Sequence, residues 1–242
     1  MDVAILERLQ RYDTPTICNV IELFRVRPND QGFMDHRIRC QFPEFPPVVG
    51  FAATASFRSC QAPPTGNAYG SLTDQLELFG TLAGPAVVVF QDLDDKPVGA
   101  TFGEVMCSTY KAFGSAGLIT SGGGRDLQQV RDIGFPVFTG STICSHAYCH
   151  ILHVGQPVHV GGLALQTGEL LHGDENGVTT IPMEIATEVA DVCEEFVQAE
   201  RHILDYVQSA GPKEINEFRQ RQKAMGEAID QIRQRVQRPP RD

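Results

Sequence analysis

The sequence predicts an α/β domain followed by helices, and three observations predict it. Short apolar runs at residues 86–90 and 117–120 are each too short for a helix and read as buried strands. Each run leads into a glycine-containing loop and then a stretch with helical apolar spacing. Beyond Pro182 the pattern changes to long amphipathic repeats with no strand signal.

In chain order, residues 3–11 alternate apolar and charged positions as a short amphipathic helix, and Thr14 with Pro15 marks the next helix start. Residues 29–47 contain Pro43, Pro46 and Pro47 and read as an irregular excursion. A helix is expected over residues 72–82, through Leu72, Leu76, Leu78 and Phe79. The strand at 86–92 ends in a turn, Asp94-Asp95-Lys96-Pro97. A loop holding Gly103-Glu104 precedes a helical stretch through Lys111 to about Ser115. The strand at 117–121 enters Gly122-Gly123-Gly124-Arg125-Asp126, and residues 127–133 are again helical in spacing. Residues 154–171 read as short strands with turns at Gly161-Gly162 and Gly168. Ile185, Val189, Val192 and Phe196 begin a long helix that Ile203, Tyr206 and Val207 extend. A last helix is expected over residues 213–237, with Phe218, Met225, Ile229, Ile232 and Val236 on one face. Such a stripe suits either packing on its own domain or a subunit-bridging arm. The division expected is residues 1–210 as the α/β domain and 211–242 as a helical extension.

Composition excludes some function classes. The 242-residue chain carries a formal charge of −10, which argues against nucleic acid as partner, since phosphate backbones select basic surfaces. No apolar run reaches membrane length, and no N-terminal stretch reads as a signal peptide. Seven cysteines at irregular spacings, an odd number without a C-x-x-C pair, read as reduced thiols in a cytoplasmic protein. His146 and His150, near Cys144 and Cys149, have the i, i+4 spacing of a helical metal pair. Ordinary packing or hydrogen bonding is the favoured reading there, since no Glu follows His146 and the segment need not be helical.

The segment Gly122 to Asp126 is the most informative. Glycines permit positive φ and close ligand approach. Arg125 offers a planar fork for a carboxylate or phosphate, and Asp126 a hard oxygen for Mg²⁺. A glycine turn whose Asp caps the next helix is the competing reading. Glu104 reads alone as an acid favoured at a helix start, and Asp174, in Asp-x-Asn-Gly, as a turn residue.

Several segments in order resemble the RraA-like family, whose enzymes include 4-hydroxy-4-methyl-2-oxoglutarate aldolases. Gly50-Phe51-Ala52-Ala53-Thr54 resembles its G-x-A-x-T strand, and Gly103-Glu104-Val105-Met106 its Gly-acid-apolar-apolar loop. Gly122-x-x-Arg125-Asp126 resembles its G-x-x-R-D signature, Gly134 to Phe138 its G-x-P-V-F strand, and Gly173 to Val178 its G-D-x-x-G-V segment. The chain departs from the family at Ser121, where Asp is common, at Thr167, where Pro is usual, and at Asn19, where Asp is common.

The resemblance implies a layered α/β/α domain with a mixed central sheet, of swivelling-domain type, assembled as a trimer or hexamer. It implies a metal-dependent aldolase, with oxaloacetate decarboxylase activity possible in the same site, releasing pyruvate from a 2-oxo acid. Asp126 would hold Mg²⁺ or Mn²⁺. Arg125, with Gly103 and the backbone N–H groups of Val105 and Met106, would bind the substrate. Glu104 would orient water, and an acid from a neighbouring subunit, Glu200 or else Glu195, would complete the site. The family also contains regulators that bind and inhibit a ribonuclease, which is the alternative function.

Overall fold

The computed structural model describes residues 1–63 and 72–239. The chain divides into two compact units, Met1–Thr14 with Gly32–Met183, and Pro15–Gln31 with Glu184–Asp242.

The first unit opens with α1 (Val3–Leu9), whose N-terminus is capped by Asp2 accepting from the Ala4 N–H at 3.0 Å. Helix α2 (Thr14–Phe24) begins at the unit boundary. Its first N–H, on Thr14, donates to the buried Asp174 Oδ2 at 2.8 Å, while Asp174 Oδ1 accepts from Asn176 N. Asp174 therefore serves its own turn, as expected, and a distant helix start as well.

The remaining elements follow as β1 (Val48–Arg58), α3 (Leu72–Phe79), β2 (Ala86–Asp92), β3 (Ala100–Phe102), α4 (Glu104–Ala112), β4 (Gly117–Thr120), β5 (Gly123–Gly124), α5 (Leu127–Asp132), β6 (Val137–Phe138), β7 (Ser141–Thr142), β8 (His150–Leu152), β9 (Val158–Val160), β10 (Leu163–Leu165), β11 (Leu170–Asp174) and β12 (Gly177–Ile181). The central sheet has the order β12-β11-β1-β2-β4-β6, with β8 paired to the far end of β1. Neighbours from β1 through β6 run parallel, while β11, β12 and β8 are antiparallel, so the sheet is mixed.

The strand period of two splits the core. Val87 and Val89 face a cluster with Met34, Ile38, Val158, Val160 and Leu165. Val88 and Phe90 face the other way, among Phe102, Cys107, Tyr110 and Val130 from the α4 and α5 side. Burial on both faces explains why β2 and β4 read as short apolar runs. The excursion expected over residues 29–47 contains no named element, only isolated bridges at Phe33 and Cys40.

Residues 141–151 are two short strands with a turn between them, so His146 and His150 do not share a helical face. The glycine loop also differs from expectation. Gly123 and Gly124 form β5, the middle strand of a small parallel sheet between β3 and β7.

The second unit contains α6 (Ala186–Gln208) and α7 (Ile215–Val236), which pack together. Ile232 and Val236 of the α7 stripe are buried, and Phe218, Met225 and Ile229 are half-buried. The Arg238 N–H donates to Phe24 O of α2 at 2.8 Å. Among the described residues no helix is long and apolar enough to cross a membrane.

Candidate functional site

The small sheet positions the site. Arg125 leaves β5 with its N–H donating to Phe102 O at 3.2 Å, so its side chain starts beside the end of β3. Threonine hydroxyls hold the glycine segment: Thr101 Oγ1 donates to Gly123 O at 3.0 Å, and Thr139 Oγ1 to Gly122 O at 2.5 Å.

The three glycines serve close packing. None of them has positive φ; that conformation falls on Asp126, at φ 56°. A Cβ on Gly122 would lie 2.5 Å from Thr101 Cγ2, one on Gly123 2.9 Å from Ile143 Cδ1, and one on Gly124 2.1 Å from Phe102 Cζ.

The left-handed turn at Asp126 aims its carboxylate away from the helix it precedes. Asp126 makes no side-chain cap for α5. Its Oδ2 instead accepts from the Glu104 N–H, the first of α4, at 3.0 Å. Arg125 Nε lies 3.7 Å from the same oxygen. The Asp126 carboxylate thus lies between the first N–H of α4 and the Arg125 guanidinium. Gly103 makes this approach possible, since a Cβ there would sit 2.6 Å from Asp126 Oδ2. Gly103 offers no side-chain cap to α4. The N–H groups of Val105 and Met106, in the first helical turn, lack intrahelical acceptors and suit an anion.

A cavity of about 590 Å³ is lined by Gly124, Arg125, Asp126, Leu127, Thr142, Ile143 and Cys144. A narrower one of about 30 Å³ shares Arg125 and Asp126 and adds Gly103, Glu104, Val105, Met106, His146 and Cys149. The structure therefore brings Gly103, Glu104, Val105, Met106, Arg125 and Asp126 to one place. Glu200 and Glu195 belong to α6 in the second unit, with Glu195 paired to Arg235 at 2.7 Å. Burial raises the Cys149 thiol pKa, and nearby Arg125 opposes that rise. Burial and the Asp126 carboxylate both push Cys107 up. The segment Ser145 to His150 resembles a Ser-His-x-Tyr-x-His run of some relatives, which implies a wall of the site; the structure puts His146 and Cys149 on the narrower cavity and Cys144 on the wider one.

Ser121 lines a different cavity, of about 430 Å³, with Arg37, Arg39 and His159 among its walls. Its Oγ accepts from the Asp92 N–H at 2.9 Å. The Asp92 carboxyl is raised to about 6, chiefly by burial and also by Asp94, against the opposing Asp94 N–H and Arg58. Asp92 Oδ2 is buried without a hydrogen-bond partner.

As a metal site, the arrangement offers one hard carboxylate. Oδ2 is engaged by an N–H, and Oδ1 makes no hydrogen bond among the described residues. No cluster of three or more His, Cys, Asp or Glu suited to a metal occurs among the described residues, which leaves no cage for zinc. One carboxylate beside an open cavity fits an ion such as Mg²⁺, which keeps several waters and few protein ligands.

The chain is 32% identical over 101 residues to a protein of Halalkalibacterium halodurans named a putative 4-hydroxy-4-methyl-2-oxoglutarate aldolase, an alignment covering 41% of this chain and 48% of that one. The chain spans about half the length of the curated relatives it matches. Among solved structures, one described as novel cellulases from microbes associated with the gut ecosystem is 27% identical, with TM-score 0.71, covering 84% of this chain and 88% of that one. RraAS2 of Streptomyces coelicolor, described as an unusual member of the RNase ES inhibitor RraA family, shares the fold at TM-score 0.67 and 24% identity, covering 83% of this chain and 96% of that one. A family model described as RraA-like, Aldolase/RraA, matches residues 14–180, a span that contains β1, the small sheet and both halves of the Arg125–Asp126 cleft. On that match the chain belongs to the RraA-like family.

Proposed function

We propose that this chain is a divalent-metal-dependent lyase that cleaves a carbon–carbon bond of a 2-oxo acid and releases pyruvate. The observation that carries the reading is the Asp126 carboxylate, one oxygen held at the α4 N-terminus beside Arg125 and the other unengaged, on an open cleft. The relative named as a putative aldolase supports the same chemistry.

Arg125 binds the substrate carboxylate, its fork matching two oxygens. The Val105 and Met106 N–H groups orient that end of the molecule. Asp126 holds Mg²⁺, or Mn²⁺ in its place. A bound divalent ion supplies charge stabilisation for the oxygen anion that develops as the carbon–carbon bond breaks. Glu104, exposed at the rim, orients water for proton exchange. Glu200 from a neighbouring copy, with Glu195 as the alternative, supplies a further acid, which requires a homo-oligomer, a trimer or pair of trimers.

The test is a coupled assay for pyruvate released from 4-hydroxy-2-oxo acids and from oxaloacetate, with Mg²⁺ and then with chelator. Metal-dependent release is expected, and Asp126→Asn should lower it about a hundredfold or more without unfolding the protein. No metal-dependent turnover of either substrate class refutes the lyase reading.

A further inference from the structure

His146 stands on the same narrow cavity as Arg125 and Asp126, and the fold holds it there by several independent bonds. Ser145 O accepts from the Ala100 N–H at 2.8 Å, which fastens the turn to β3. Ser145 Oγ accepts from the Ala147 N–H at 3.0 Å, the Cys149 N–H donates to His146 O at 3.0 Å, and the Tyr148 N–H donates to Ser59 O at 3.1 Å. Gly99 lets the turn come this close, since a Cβ there would lie 2.7 Å from His146 O. Ala147 has φ 45°, a left-handed conformation unfavourable for a non-glycine residue. A strained alanine among such tethers belongs to a turn whose shape matters.

The ring's hydrogen bonding fixes what it can offer. His146 Nδ1 lies 2.8 Å from Ala147 O. A carbonyl oxygen only accepts, so Nδ1 carries the proton, and in the neutral ring Nε2 is left as a lone-pair acceptor. The other polar groups of the cavity are Arg125, a donor with a cation, and Asp126 and Glu104, which are carboxylates. Cys149 adds a thiol whose pKa burial raises.

We infer that His146 is a specificity-determining residue for the proposed reaction: through Nε2 it accepts a hydrogen bond from the hydroxyl that a 4-hydroxy-2-oxo acid carries beyond its pyruvoyl end. This inference rests on the lyase reading and names its preferred substrate. An acceptor matches a hydroxyl donor, whereas oxaloacetate has no hydroxyl at its fourth carbon and leaves that acceptor unpaired. The site therefore favours aldol cleavage over decarboxylation. A polar pocket rejects the analogue that leaves its acceptor unpaired more strongly than an apolar pocket rejects added bulk.

The experiment compares kcat/KM for a 4-hydroxy-2-oxo acid with kcat/KM for oxaloacetate, at pH 8 with Mg²⁺, in the full chain and in His146→Phe and His146→Gln. The ratio should fall about tenfold in His146→Phe, the order expected for the loss of one hydrogen bond, mostly through KM. His146→Gln, whose side-chain carbonyl also accepts, should recover part of it. Binding of oxalate, which resembles the pyruvoyl end and has no group at the fourth carbon, should be equal in all three proteins. A ratio unchanged in both variants overturns the assignment, as does an equal loss of both activities in both variants. If His146→Phe loses oxalate binding through misfolding, the His146→Gln ratio decides. Wild-type protein that turns over neither substrate overturns the lyase reading itself, an outcome distinct from an unchanged ratio.

Discussion

Two glycine clusters in this chain look alike in sequence and meet different needs. Gly161 and Gly162 join β9 to β10 with Val160 paired to Leu163, and both have positive φ, 56° and 78°. They are the two central residues of a hairpin turn that needs left-handed backbone, as a two-residue connection of this kind demands. Gly122, Gly123 and Gly124 have no positive φ at all, and each instead lies against a side chain or strand that a methyl group would strike. Gly162 is needed chiefly for conformation and Gly161 for conformation and room together, since a Cβ there would lie 2.7 Å from Ile38 Cγ1, whereas the second cluster is needed for room alone. Only the second supports the candidate site, because the room it leaves lets β5 run between β3 and β7 and deliver Arg125 beside the α4 N-terminus.

Substitution separates the two uses. Gly124→Ala puts a methyl group 2.1 Å from Cζ of Phe102, which is 1% exposed and cannot retreat. The expected loss is about 3 kcal/mol or more, read by denaturant unfolding, with partial recovery on adding Phe102→Leu. Asn at position 124 should do no better than Ala, since the obstacle is volume. Gly162→Ala should cost only about 1 kcal/mol, the strain of left-handed backbone, and leave pyruvate release unchanged. Asn at position 162 should cost less than Ala, because its side chain tolerates that conformation. If Asn rescued position 124 and failed at 162, the distinction would be reversed.

A smaller effect sharpens the packing side of the comparison. A Cβ on Gly122 would lie 2.7 Å from Asp92 Oδ2, so the glycine segment presses against a carboxyl that has no hydrogen bond on that oxygen. Burial raises the Asp92 carboxyl to about 6, above the roughly 3.9 expected when unfolded. Between those values the folded chain binds more protons than the unfolded one. Stability is then greatest below the lower value and declines as pH rises through about 6. Asp92→Asn removes the charge, so denaturation at pH 7.5 should need more denaturant than in wild type, and the decline between pH 4 and 6 should flatten. A variant less stable than wild type at pH 7.5 would mean that the charged carboxylate is wanted there.

The large sheet was legible because burial on both faces leaves unbroken apolar runs, as in β2 and β4. The small sheet was not, since two-residue strands carry no periodicity and β5 consists only of glycine. At the site, Arg125 and Asp126 were legible as adjacent groups of complementary chemistry. That Asp126 serves α4 was hidden, because the bond to Glu104 spans 22 residues and depends on a left-handed turn at Asp126 itself. For His146 the resemblance to a Ser-His-x-Tyr-x-His run pointed to a wall of the site, but the tethered turn between β7 and β8 that holds it there carries no periodicity to read.

The central claim is that one carboxylate, placed by this packing, holds a divalent ion where a 2-oxo acid binds. Mn²⁺ binding, followed by electron paramagnetic resonance with and without oxalate, tests it most directly in wild type and Asp126→Asn. The account predicts one bound Mn²⁺ per chain in wild type, tighter with oxalate, and loss of both effects in the variant. Equal Mn²⁺ binding and equal oxalate enhancement in Asp126→Asn would contradict it.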